Sequence, residues 1–148
     1  MSNTQNWVVL KFGGTSVKSL ADWRVISKRI ADVQAEGKRV FVVHSAVATI
    51  SDLLDTLVTR AVAGEGEAEL AAIKARHLEL ATELGVEGEA LLAPYFDALD
   101  RLRAGLSLTG DVSPRLKARI MAQGELMATT LGQAWLAREG VASAWLDA

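Results

Sequence analysis

A lysine, two glycines and two hydroxyl side chains follow an apolar run near the amino end of this 148-residue chain. Lys11 comes directly after Val8–Leu10, and Gly13-Gly14-Thr15-Ser16 follows one residue later. A lysine supplies a fixed positive charge, and glycines let main-chain N–H groups approach an anion without interference from a Cβ atom. Such groups hold the phosphates of a nucleotide. Lys11 and residues 13–16 are therefore a candidate phosphate site.

The same run also has a plain structural interpretation. Gly-Gly pairs are ordinary turn residues, so Lys11 can equally be an exposed lysine at the end of a strand. The run fits neither the Walker pattern nor the dinucleotide fingerprint. From spacing alone, the two interpretations have about even weight.

Two serines lie near the second apolar run. Ser45 follows the apolar residues 40–43, and Ser51 stands where a helical pattern begins. On the residues alone, Ser51 is favoured as a helix cap, since serine hydroxyls accept hydrogen bonds from the first free N–H groups of a helix.

Glu125 is a candidate for binding a cation, because it projects from a predicted helix face made of small and apolar residues. A carboxylate on such a face needs a cation, which a substrate ammonium, a lysine or an arginine can supply; plain exposure is the remaining alternative. The neighbouring Gly124 costs a helix about 1 kcal/mol relative to alanine. That glycine indicates close packing or a nearby ligand.

The elements that must position these residues begin with a βαβ unit. Trp7–Phe12 is predicted as a buried strand, and a helix capped by Ser19 with Asp22 runs to about Glu36. A second strand lies within Arg39–Ser45. Strand, helix and strand within 40 residues predict parallel pairing with a right-handed crossover.

Helices dominate the rest of the chain. They are predicted from about Ser51 to Gly64, over Glu67–Leu84, over Glu89–Ala104 with Pro94 bending the helix or marking a later start, and from Ser113-Pro114 to Glu139. Val141–Leu146 is predicted as a third strand.

These elements predict an α/β fold with a parallel sheet and helices on both faces. The chain is expected to form one unit over residues 1–148, with a helical insertion at about 64–112. It resembles the amino-terminal half of a larger domain.

Composition narrows the function classes. The net charge is −2 with interleaved signs, which does not favour nucleic acid or an anionic membrane surface. There is no cysteine, the polar start lacks a signal peptide core, and no apolar run approaches the ~20 residues of a membrane span. No residues have metal-ligand spacing, and His44 and His77 are expected to be packing or surface residues. A cytoplasmic protein is expected.

Three segments together resemble the aspartate kinases of the amino-acid kinase family. The first is Lys11-Phe-Gly-Gly-Thr-Ser-Val17, and the second is His44–Leu54, similar to a family segment that usually reads Val-Ser-Ala, two variable positions, Gly, an aliphatic, Thr, Asn, Leu-Leu. The third is Gln123-Gly-Glu-Leu-Met-Ala-Thr129. Residues 106–117 are most similar to the kinase part of bifunctional aspartate kinase/diaminopimelate decarboxylase proteins.

The resemblance implies transfer of the γ-phosphoryl group of MgATP to the β-carboxylate of L-aspartate, in the biosynthesis of lysine, threonine and methionine. Lys11 would then steady the transferred group, and Gly13, Gly14, Thr15 and Ser16 would hold phosphate oxygens. Ser45, Ser51 and Glu125 would bind aspartate, with Glu125 receiving its α-amino group. The remaining parts of such a kinase would lie beyond residue 148, so the chain alone is expected to be inactive. A homo-oligomer is expected.

Two departures from the family segment leave alternatives open. Thr49 stands where glycine is usual, although β-branched residues resist positive φ, and Asp52 replaces asparagine. A non-catalytic binding or dimerisation module is therefore an alternative, with an exposed sheet edge as its contact surface. A different amino-acid kinase, such as one acting on acetylglutamate, carbamate or uridylate, is the other alternative.

Overall fold

The computed structural model describes residues 6–147; residues 1–5, part of the polar start for which no signal peptide is predicted, and Ala148 lie outside that range. The described elements are β1 Trp7–Phe12, a single 3₁₀ turn at Gly14–Ser16, α1 Leu20–Ala35, β2 Arg39–His44, α2 Ile50–Val62, α3 Glu67–Leu84, α4 Gly88–Thr109 and α5 Pro114–Arg138. The α/β class with a parallel sheet is confirmed.

The sheet consists of β1 and β2, paired in parallel from Trp7 with Arg39 to Phe12 with His44. Side chains alternate along both strands. One face, which includes Leu10, packs against the helical core, while the other face is open, with Trp7 55% and Val9 64% exposed. Because the strands are parallel, the loop after β1, which carries Gly13 and Gly14, and the loop after β2, which carries Ser45, leave the sheet at the same edge.

The crossover helix α1 forms where the capping pattern predicts it. The Ser19 hydroxyl oxygen lies 3.3 Å from the Asp22 backbone N–H that donates to it, and the Ser19 hydroxyl lies 2.6 Å from the Asp22 carboxylate. The buried side of α1 carries apolar side chains at helical spacing, namely Trp23, Ile26, Ile30 and Val33. These side chains pack α1 against the same hydrophobic core that β1 and β2 cover.

The remaining helices form the larger part of the core. Helix α2 packs against α3, α4 and α5, and α4 packs against α5. Helices α3 and α4 together make up most of the region predicted as an insertion. Ser113 caps α5 by accepting the Leu116 N–H at 3.2 Å, and Pro114 is the first helical residue, as predicted. Within residues 6–147 no helix is long and apolar enough to cross a membrane.

One prediction about an element is wrong, and one of the two alternatives for Pro94 is excluded. Residues 141–147 form no strand; Trp145 Nε1 instead donates to Thr129 Oγ1 of α5 at 2.9 Å. An apolar sequence favours an extended backbone, but a strand also needs a hydrogen-bonded partner, and this segment does not join β2. Helix α4 begins at Gly88, so Pro94 marks no later start. Pro94 stands in the second turn, where its missing N–H removes one helical hydrogen bond.

The second histidine, His77, is fully buried in the helical core. Its Nδ1 lies 2.8 Å from the Ile73 carbonyl oxygen, to which it donates, and its Nε2 is buried with no partner. Burial lowers the pKa of His77, and the hydrogen bond to Ile73 raises it by a smaller amount. The imidazole is therefore neutral in the folded protein at neutral pH.

We expect the free energy of unfolding to fall as the pH is lowered from about 7.5 to 5.5. The unfolded chain takes up protons below the ordinary histidine pKa of about 6.5. The folded chain takes them up only at lower pH, because burial also lowers the pKa of His44. Each histidine contributes at most ~1.4 kcal/mol per pH unit. Urea unfolding measures the slope, and His77→Leu should remove its share; an unchanged slope in that variant would contradict the assignment.

Candidate active site

The loops after β1 and β2 are joined by backbone hydrogen bonds. Ser45 N donates to Phe12 O at 3.1 Å, and Ala48 N donates to Gly14 O at 3.1 Å. Within the first loop, Ser16 N donates to Gly13 O at 3.0 Å and closes the 3₁₀ turn. The diglycine turn and the loop after β2 (residues 45–49, the serine loop) therefore form one connected surface at the carboxyl edge of the sheet.

The two glycines of the turn have different surroundings. A Cβ atom added at Gly14 would lie 2.6 Å from the Ala46 carbonyl oxygen and 3.2 Å from Ala48 N, so the contact between the two loops requires this glycine. A Cβ added at Gly13 would meet no atom within 4 Å. Packing explains Gly14, whereas the space beside Gly13 is open to a ligand.

Lys11 lies on the open face of the sheet, one residue before the loop begins. It pairs with Val43 in the strand register, and its side chain is exposed. Among residues 6–147 it takes part in no ion pair. An exposed ammonium beside a glycine turn is a free cation that a phosphate group can reach from solvent.

Gly124 brings helix α5 onto the serine loop and α2. A Cβ atom there would lie 2.9 Å from Ala46 Cβ, 3.1 Å from Leu54 Cδ1 and 3.2 Å from Ile50 Cγ2. Of the two interpretations of this glycine, close packing is the one observed. The adjacent Glu125 is held next to the end of β2 as a result.

Glu125 lines a cavity of about 910 Å³ that runs along the outer edge of β2, between α1, α5 and residues 141–147. Its carboxylate takes part in no ion pair within the described residues. His44, Trp23 and Thr129 line the same cavity. Lys11 does not line it, so Lys11 and Glu125 are not brought into one pocket.

Ser51, which is favoured as a helix cap on the residues alone, does not cap α2. Ser45 is half-buried directly after β2, and Ser51 is exposed as the second residue of α2. The cap position of α2 belongs to Thr49, whose side chain makes no capping hydrogen bond. The interpretation of Ser51 as the cap is therefore wrong, and its hydroxyl is available to solvent.

Thr49 has φ +75° and ψ −16°, the left-handed conformation that glycine tolerates. Within residues 6–147 no other non-glycine residue has a positive φ. A β-branched residue in this region is strained by about 1–2 kcal/mol. The loop keeps the shape that glycine would give, and the threonine carries the strain.

We expect Thr49→Gly to increase the free energy of unfolding by up to about 1 kcal/mol, because relief of strain exceeds the added flexibility of the unfolded chain. Thr59→Gly is the matched control, since Thr59 lies inside α2 and glycine there should destabilise by about 0.3–0.5 kcal/mol. Urea unfolding of both variants is the measurement. Destabilisation by both substitutions would show that Thr49 is not strained.

His44 was expected to be a packing or surface residue, and the structure shows that it also reaches the site. It is 8% exposed, its ring meets Trp23 edge to face at 5.3 Å, and it lines the cavity beside Glu125. The sequence carried one signal for this, since His44 immediately precedes Ser45 at a strand end. Within residues 6–147 no group of three His, Asp or Glu side chains could hold a metal ion.

Comparison with known proteins agrees with this arrangement. The model of the Amino acid kinase family matches residues 6–148. Aspartokinase 2, chloroplastic, of Arabidopsis thaliana is 32% identical over 144 residues, which are 95% of this chain and 26% of that protein. The aspartokinase of Chlamydia trachomatis is 35% identical over 124 residues, 84% of this chain and 26% of that protein.

A solved structure shows the same fold. Aspartokinase III of E. coli, in complex with aspartate and ADP, superposes with a TM-score of 0.77 at 26% identity, covering 92% of this chain and 30% of that one. This chain thus spans 26% of the length of the first curated relatives. On the family match, which extends over nearly all of its residues, the chain belongs to the amino acid kinase family.

Proposed function

We propose that this chain is the amino-terminal part of an aspartate kinase, which transfers the γ-phosphoryl group of ATP to the β-carboxylate of L-aspartate. The observation that carries the proposal is the joined pair of loops, which puts the diglycine turn and Ser45 at one edge of the sheet. The aspartokinases among its relatives, and the E. coli protein in complex with aspartate and ADP, support the substrates.

The phosphate end of the site is assigned to the first loop. Lys11 would neutralise charge on the transferred group, since it is exposed and makes no ion pair in the described residues. Gly13 leaves space for a phosphate oxygen, and Thr15 and Ser16 offer hydroxyl donors. Such catalysis depends on positioning and charge neutralisation.

The amino-acid end is assigned to Ser45, Ser51 and Glu125. The Glu125 carboxylate, free of ion pairs among residues 6–147, would receive the substrate ammonium. Magnesium bound with ATP would neutralise phosphate charge, but the described residues include no cluster of ligands for it. The proposal therefore assigns the metal no ligand in this part of the chain.

An aspartyl hydroxamate assay coupled to ATP tests the proposal in the full-length polypeptide that contains this chain. Lys11→Ala should lower kcat by at least about 100-fold, the usual loss when a group that stabilises transition-state charge is removed. Lys28→Ala is the matched control, because Lys28 makes an exposed ion pair with Asp32 on α1. Full activity of Lys11→Ala would contradict the proposal.

The 148-residue chain by itself should show negligible turnover in the same assay, since it spans 26% of the length of its aspartokinase relatives. Appreciable turnover that is lost in Lys11→Ala would overturn this expectation.

A non-catalytic dimerisation module is the second candidate, and the open sheet face favours it. Trp7, Val9, Phe41 and Val43 present exposed apolar side chains on that face. Such a surface supports the expected homo-oligomer. Sedimentation of the wild type and of Val9→Lys tests whether this face forms a dimer: a dimer that becomes a monomer in the variant places the contact on this face, and a wild-type monomer rules this candidate out.

A further inference from the structure

His44 stands at the last position of β2, on the face that packs against the helices. Its Nδ1 lies 2.9 Å from the Ser45 carbonyl oxygen, and Trp23 packs edge to face against the ring. A carbonyl oxygen can only accept a hydrogen bond, so Nδ1 carries the proton and donates it. These contacts fix the ring in both position and tautomer.

The neutral ring leaves Nε2 as an acceptor. Burial lowers the pKa of His44, against the opposing effects of the bond to Ser45 and of the negative charge of Glu125. At neutral pH the side chain is therefore uncharged and has one free lone pair. A protonated ring would put a second cation where the substrate ammonium is expected.

The charged side chains around the cavity are few. Helix α1 contributes none, α5 contributes Glu125, residues 141–147 contribute Asp147, and Lys38 and Arg39 stand at the opposite end of β2 from His44. Glu125 is the carboxylate whose charge acts on the His44 ring. His44 and Glu125 therefore form a neutral acceptor and an anionic acceptor at the same end of the cavity.

We propose that the Nε2 atom of His44 accepts a hydrogen bond from the α-ammonium of the amino-acid substrate and so completes, with Glu125, the subsite for that group. An ammonium has three N–H donors, and a carboxylate alone leaves at least one of them for another acceptor. This inference rests on the proposed function. It assigns a binding role to a residue that stands where the family segment usually has valine, a side chain with no acceptor.

His77 is an internal comparison for this role. It has the same Nδ1 bond to a backbone carbonyl and is also buried. However, it lies on α3 and does not line the cavity. Any effect of an amino-acid ligand on histidine rings should therefore appear at His44 and be absent at His77.

Nitrogen-15 NMR of the 148-residue chain tests the proposal, because the chain has only two histidines. L-aspartate at up to about 10 mM, which nearly saturates a 1 mM site, should shift Nε2 of His44 and leave His77 unchanged. Succinate has both carboxylates but no amino group, and it should leave His44 unshifted. The backbone amides of Ser45 and Glu125 report binding independently of the ring.

Two variants separate the acceptor from the packing role. His44→Gln keeps an acceptor near the Nε2 position and should bind aspartate within about threefold of wild type, whereas His44→Asn keeps only the donor near Nδ1 and should bind about tenfold more weakly. Thermal unfolding of both variants checks that the fold is intact. Equal affinity of the two folded variants would overturn the proposal.

The outcomes also separate this inference from the proposed function. If aspartate shifts the Ser45 and Glu125 amides but not the His44 ring, the His44 role is wrong and aspartate binding by the chain stands. If aspartate shifts none of these signals, this chain does not form the amino-acid subsite and the His44 assignment fails; the hydroxamate assay of the full-length polypeptide then decides the proposed function.

Discussion

Replacing Gly132 with alanine is expected to destabilise the protein by about 3 kcal/mol, the upper end of the cost of overpacking a core. A Cβ atom at this position in α5 would lie 1.9 Å from Cη2 and 2.4 Å from Cζ2 of Trp23. The contacts of Trp23 oppose a shift of its ring, although one side of it lines the cavity beside Glu125. It is 1% exposed, its Nε1 donates to Val17 O at 3.2 Å, and its ring packs against His44 and Trp135.

Gly105→Ala provides the matched control for this experiment. Gly105 also lies inside a helix, α4, but a Cβ atom there would meet nothing within 4 Å. Alanine should therefore stabilise the protein by about 1 kcal/mol through helix propensity alone. Urea unfolding measures both. Similar free energies of unfolding for the two variants would show that Trp23 does not constrain position 132.

Gly14→Ala is expected to destabilise the protein by about 2 kcal/mol, because the added atom would meet the Ala46 carbonyl oxygen at 2.6 Å. The obstacle is backbone, so a rotamer change cannot relieve it. The Ala48 N to Gly14 O hydrogen bond that joins the two loops should be lost as well. We expect this single methyl group to disrupt both loops of the candidate site.

Gly13→Ala separates packing from ligand binding. Gly13 has φ −80° and ψ 172°, an extended conformation that alanine adopts freely, and the space beside it is open. Its free energy of unfolding should match that of wild type. In the full-length polypeptide it should nevertheless weaken ATP binding, if the open space is where a phosphate oxygen lies. Unchanged nucleotide affinity in Gly13→Ala would remove this residue from the phosphate site.

The local signals in the sequence predict the helices well. The Ser19 and Ser113 caps and the glycines that end α3 and α5 depend on neighbouring residues only, and they are observed. The third strand is wrong because strand formation depends on a partner elsewhere in the chain. Residues 141–147 contact α5 instead: Trp145 Nε1 donates to Thr129 Oγ1, and the Ser143 carbonyl oxygen accepts from Gln133 Nε2.

The candidate site is predictable only in part, for a related reason. Lys11, Gly13 and Gly14 are candidates because of their spacing. Glu125 is a candidate because its predicted helix face is small and apolar, although the structure shows this residue exposed. The role proposed for His44 depends on the ring of Trp23 and on the cavity shared with Glu125. These contacts join three elements that are distant in the sequence. Spacing along the chain cannot reveal them, so a buried histidine is interpreted as core.

The alternation along β1 also makes the candidate site sensitive to chain length. Leu10 and Phe12 face the helices, while Val9 and Lys11 face outward. Deleting a single residue between Trp7 and Leu10 would exchange these sides if the amino-terminal end of the strand stayed in place. The ammonium would then enter the apolar layer and the phenyl ring would enter water. Strand register thus ties the candidate phosphate-binding lysine to the same pattern that supports the fold.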